Sequence, residues 1–249
     1  MRIASLGHAV FAATLIGLGV LGATKGDFAP IWGPVPKTVP GREALAYASS
    51  FVLLACGIGL MWRRSAAASA RVLFGFCLVW LLVLRAPRIL LAFGVATWFS
   101  ACETAVMVAA AWVLDVWFAG SRGMRIARAL FGVALIPFGL AHFLYLENTA
   151  PLVPAWLPAH VAWAYFTGAA FIAAGVAVLT GVLARLAAAL VALQIGLFTL
   201  LVWVPIVAKG QARPYQWTEF VVSWALTAAA WVVADSWRLG HPPDARLAQ

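Results

Sequence analysis

Apolar residues in this chain come in long unbroken runs, and most charged residues collect between them. Runs of roughly 17 to 25 residues have the length that crosses a bilayer as an α-helix. They predict eight spanning helices, at about 5–23, 45–62, 70–86, 89–117, 127–146, 161–180, 183–207 and 216–236. The fourth exceeds the hydrocarbon thickness at about 1.5 Å per residue and is expected to tilt or protrude. The expected fold class is an all-α polytopic membrane bundle.

The eight runs pair off. Val35-Pro36-Lys37-Thr38-Val39-Pro40, followed by Ala44-Leu45-Ala46-Tyr47, recurs 118 residues later as Val153-Pro154-Ala155-Trp156-Leu157-Pro158, followed by Ala162-Trp163-Ala164-Tyr165. Further matches at nearly constant offset join Gly57 to Gly175, Pro87 to Pro205, and Ala109-Ala110-Ala111-Trp112-Val113 to Ala228-Ala229-Ala230-Trp231-Val232. Such self-similarity marks a duplicated unit, here 1–120 and 121–249. An even number of helices per unit makes the copies parallel repeats about an axis along the membrane normal. The first run has a leader-like Arg2 and small residues at Gly22-Ala23. Because Val10–Gly19 aligns with Leu130–Gly139, it is expected to be retained as a span.

Composition agrees with a bilayer setting: 65% of residues are hydrophobic, 10% are charged, and mean hydropathy is +0.97. A net charge of +9 would suggest nucleic acid in a soluble chain, but most of these basic residues flank apolar runs, as cytoplasmic loop charges do. With the N-terminus inside, Arg2, Arg63, Arg64, Arg71, Arg122, Arg125, Arg128, Arg185, Arg238 and Arg246 are cytoplasmic, ten against seven outside. Both termini are then cytoplasmic. The Pro-rich loops 24–44 and 147–160 then lie on the outer face. Trp32, Trp62, Trp117, Trp156, Trp217 and Trp237, near segment ends, suggest an interfacial aromatic belt. Cys56, Cys77 and Cys102 sit in apolar runs with no CxxC pair, which reads as packing and leaves a dithiol relay without support.

Two groups of residues could carry chemistry. Glu103 lies roughly 20 Å inside the fourth run, where a carboxyl must be protonated, paired or facing a polar cavity. It is either a neutral acid bonded to a neighbouring helix or a proton relay or ligand contact; Glu219 lies about three residues nearer the outer end. His142, Tyr145, Glu147 and Asn148 close the fifth run. His142 and Tyr145, three apart, share a helix face, so this group could bind a quinone head group, relay a proton or cap the Pro-rich loop. A metal site is weakly indicated, since no second His stands at i+3 or i+4. Arg85 and Arg88, flanking Pro87, read first as snorkelling to headgroups and second as an anion or quinone contact.

The second half resembles the DoxX family of small four-helix bacterial membrane proteins. The likeness runs from about Arg128 to Val207, through G-L-A-H-F at 139–143, A-P-L-V-P-A-W-L-P at 150–158, Thr167-Gly168, Ala173-Ala174-Gly175 and Arg185-Leu186-Ala187. It implies a four-helix bundle, here present twice, in a bacterial inner membrane. Some relatives are associated with redox systems, including thiosulfate to quinone electron transfer. Members often carry Glu after the T-G on the second helix, where this chain has Phe171.

Three functions follow as expectations. The first is a membrane component of a redox system that contacts a quinone, or a soluble or membrane redox partner, through His142, Tyr145 and Glu147. The second is a non-catalytic scaffold or assembly subunit. The third, behind them, is a small-solute transporter built around Glu103.

Overall fold

The computed structural model describes residues 4–91 and 94–238, which are helical and hold no strand among the described residues. Eight helices are long and apolar enough to cross a membrane: α1 Leu6–Lys25, α2 Arg42–Leu60, α3 Ala66–Leu91, α4 Val95–Ala119, α5 Met124–Leu144, α6 His160–Thr180, α7 Ala184–Ala208 and α8 Pro214–Asp235. Arg2 and Arg246, two of the expected cytoplasmic charges, lie outside the described residues.

Local chemistry sets the ends. Ser5 caps α1 by accepting from the His8 amide at 3.1 Å, and Gly26, at φ 63°, closes it in the left-handed conformation that glycine adopts without strain. Gly120, at φ 67°, ends α4 in the same way.

The greatest departure from the sequence expectation is at Pro87. The sequence expectation ends the third run at 86 and starts the fourth at 89, on either side of this proline. Instead α3 continues through it to Leu91, and α4 begins at Val95. A π-helical turn at Trp80–Arg85, in which the Ala86 amide bonds to the Leu81 carbonyl, explains this. The ring of a helical proline collides with the carbonyl four residues back, and the wider π turn relieves that clash. In α7, Thr199–Trp203 forms a second π turn just before Pro205, with the Val204 amide on the Thr199 carbonyl.

Sequential helices pack side by side from α1 to α8, and α1 returns onto α8. The halves interleave through three seams: α1 on α8, α4 on α5, and α4 on α8 at the centre. Bilayer solvent gives little drive for helices to associate, so close approach of small residues matters. A Cβ on Gly57 would stand 2.8 Å from the Ala12 carbonyl of α1, and one on Gly175 2.7 Å from the Gly132 carbonyl of α5. The core along α4 and α8 consists of Ala105–Ala111, Val113 and Leu114 against Ala225, Leu226, Ala228–Ala230 and Val232–Ala234, all buried.

The two Pro-rich loops lie at one end of the bundle, here the loop end; the terminal end carries the turns 61–65 and 120–123. The first loop is a plug. Ala29, Ile31 and Trp32 are buried, and Trp32 stacks on Trp80 of α3 at 5.1 Å and meets Phe76 edge-on at 5.5 Å. Trp32 is therefore a core residue and not part of an interfacial belt; Trp62 and Trp156 are exposed, as a belt requires. The second loop, with a turn at Leu146–Thr149 and a 3-10 turn at Ala150–Leu152, is far more exposed.

Candidate functional site

The plug covers a charged cluster. Arg85, in the π turn of α3, is 2% exposed and points inward: its Nε donates to Thr104 Oγ1 of α4 at 3.2 Å and one Nη to the Gly33 carbonyl at 2.6 Å. It does not snorkel toward headgroups. Arg88, three residues past the π turn, donates to the Pro34 carbonyl at 3.0 Å, so α3 holds the plug with two guanidinium groups.

Glu103 precedes Thr104 on α4 and is 9% exposed. Three helices thus place Arg85 of α3 and Glu219 of α8 within electrostatic reach of Glu103, with no direct ion pair between them among the described residues. The Trp32 indole N–H, in the plug, is buried with no hydrogen-bond partner. A buried donor left unpaired costs free energy. Chemically, the cluster can hold or exchange a proton through the carboxyls and offer donors to a carbonyl oxygen.

The structure disperses the other sequence-derived group. α5 ends at Leu144, and Tyr145 takes up φ −115°, ψ 41° as its cap. The three-residue spacing from His142 therefore does not bring the two side chains onto one face. The His142 ring turns inward, 5.5 Å from Phe171 of α6 and stacked 6.0 Å from Phe198 of α7, with Nδ1 bonded to the Phe138 carbonyl at 2.8 Å. Tyr145 and Glu147 are exposed, and neither side chain makes a hydrogen bond or ion pair among the described residues. Phe171 packs directly against His142.

At the terminal end the structure reveals groups that sequence reading counted only as loop charges or passed over. Arg71 meets buried Asp115 at 3.5 Å and donates to the Ala119 carbonyl at 3.3 Å. Arg128 grips Ser236 through its hydroxyl at 2.9 Å and its carbonyl at 2.6 Å, and lies 4.2 Å over the Trp237 ring. His8, fully buried, accepts at Nδ1 from the Ala4 amide at 3.3 Å and donates from Nε2 to the Leu60 carbonyl at 3.1 Å. The available signal is Asp115 and Asp235, acids near the end of α4 and at the end of α8 that follow near-identical apolar strings.

Cys56, Cys77 and Cys102 are free and buried on α2, α3 and α4. Among the described residues, no group of three His, Cys, Asp or Glu side chains is arranged to hold a metal ion. No family model matches the chain, and no curated protein or solved structure is detectably similar to it.

Proposed function

We propose that this integral membrane protein is a quinone-binding component of a membrane redox system, with its ligand site at Arg85, Glu103 and Glu219 beneath the 29–34 plug. The observation that carries the reading is a buried guanidinium of α3 and a carboxyl of α8 within electrostatic reach of Glu103 on α4. A quinone needs donors at its carbonyls and a nearby acid to exchange protons. The unpaired Trp32 N–H and Arg85 supply donors, and Glu103 with Glu219 the acid. The resemblance to DoxX proteins favours the same class of role. It also supports two tandem four-helix units, as do the π turns before Pro87 and Pro205 and the matched approaches of Gly57 and Gly175.

The test is quinone content after mild purification. The protein should retain quinone, and the near-isosteric Glu103→Gln should lower that content by roughly tenfold, the effect of losing about 1.4 kcal/mol. Equal content in both proteins would remove this reading.

A scaffold role is the second reading, favoured by the outward-facing Tyr145, Glu147, Trp156, Tyr165 and Phe166 at the loop end. It predicts a partner lost on replacing Tyr145 and Glu147 and kept in Glu103→Gln. Transport has less to support it, because buried apolar residues fill α4 between Glu103 and Asp115. Burial of Arg85 removes a charge from the loop end and sharpens the basic bias toward the terminal end. That favours the terminal end as cytoplasmic, in a bacterial inner membrane.

A further inference from the structure

A lateral groove separates α1 from α8, lined by Val10, Thr14, Gly17 and Leu21 on one side and by Val221 and Trp224 on the other, with a volume of about 560 Å³. Its one polar pair is already satisfied: Trp224 Nε1 donates to Thr14 Oγ1 at 3.1 Å, and Thr14 Oγ1 donates to the Val10 carbonyl at 2.8 Å. What remains is an apolar channel.

From Val10 to Leu21 the channel runs about 17 Å at the helical rise, close to half of a hydrocarbon core about 30 Å thick. One leaflet has that depth. One turn beyond Leu21, at the loop end, Lys25 Nζ stands 5.6 Å over the Trp217 ring, and the Trp217 N–H is buried with no hydrogen-bond partner. The channel therefore ends at an exposed cation held over an indole ring and suited to an anionic oxygen.

We propose that this groove holds one acyl chain of an anionic phospholipid from the leaflet at the loop end, with the phosphate at Lys25 and Trp217. Along the groove, Gly17 leaves space that the chain uses, since a Cβ built there meets nothing within 4 Å. Lys25 draws the headgroup by charge, and the Trp217 ring beneath its ammonium holds that cation at the mouth of the groove. The site lies on α1 and α8, does not involve His142 of α5, and does not rest on the quinone reading.

Native mass spectrometry tests this with protein reconstituted in an equimolar mixture of phosphatidylglycerol and phosphatidylcholine and then gently delipidated. The wild type should keep one phosphatidylglycerol. Lys25→Gln should lower the preference for phosphatidylglycerol roughly fivefold, the effect of one interfacial cation worth about 1 kcal/mol. Gly17→Leu fills the groove and should abolish retention of both lipids, whereas Gly75→Leu, an exposed position on α3 with equally open surroundings, should leave retention unchanged. Gly17→Ala, which adds one methyl to open space, should fold as the wild type does and retain an intermediate amount. Full retention in Gly17→Leu, equal loss in Gly75→Leu, or an unaltered preference in Lys25→Gln would each overturn the proposal.

Discussion

Arg85 reaches back across the loop end to the carbonyl of Gly33, 2.6 Å away, and so ties the plug to the π turn of α3. The same guanidinium bonds Thr104 beside Glu103, so the lid and the acid share one anchor.

Arg85→Met should therefore cost about 3 kcal/mol, because it leaves a buried carboxyl cluster without its cation and two acceptors without a donor. Thermal unfolding in detergent measures the loss, and proteolysis in loop 26–41 should quicken. Arg85→Lys should rescue little, since a single ammonium cannot reproduce the forked contact to both Thr104 and Gly33.

Helix approach in the second half depends on glycine. A Cβ on Gly139 would stand 2.5 Å from the Gly168 carbonyl, so Gly139→Ala should destabilise by about 1–3 kcal/mol. Gly75→Ala, in open surroundings, should be neutral or mildly stabilising. A stability series that ranks the two variants the other way would contradict the packing described for α5 and α6.

His142 serves packing in this account. Its ring is held between Phe171 and Phe198, so His142→Phe should change stability by no more than about 1 kcal/mol and leave quinone content unaltered. A sharp fall in bound quinone would move the site to the end of α5.

Lys37 and Arg122 lie at opposite ends of the bundle. Lys37→Cys and Arg122→Cys should accordingly react with an impermeant maleimide from opposite faces of the membrane, while Cys56, Cys77 and Cys102 stay silent because they are buried. Labelling of both variants from one face would break the eight-span topology.

The eight helices were legible because an apolar run of spanning length is a strong and local signal. The α3–α4 boundary was not, since a proline in sequence carries no mark of the π turn that accommodates it. Glu103 stands out as an acid inside an apolar run, but α4 begins at Val95, which leaves it about 12 Å from the loop end and not the roughly 20 Å expected from an earlier start. Its neighbours do not stand out: Arg85 and Glu219 join it only because α4 packs on α3 and, at the centre, on α8, a long-range arrangement that helical periodicity does not encode. The spacing rule that joined His142 to Tyr145 fails for the opposite reason. It holds inside a helix, and this helix stops at Leu144. Nothing in the local sequence marks His8, Asp115 and Arg128, because their partners stand on other segments across the terminal end.

Photolabelling with an azido-quinone, followed by peptide mapping, tests the proposed site most directly. Label should fall on the 29–34 plug and on the loop-end turns of α4 and α8 around Glu103 and Glu219, should be competed by excess unlabelled quinone, and should be lost in Glu103→Gln. Competable label concentrated on α5 and α6 around His142, or label spread evenly over the exposed helix faces and indifferent to competitor, would contradict it.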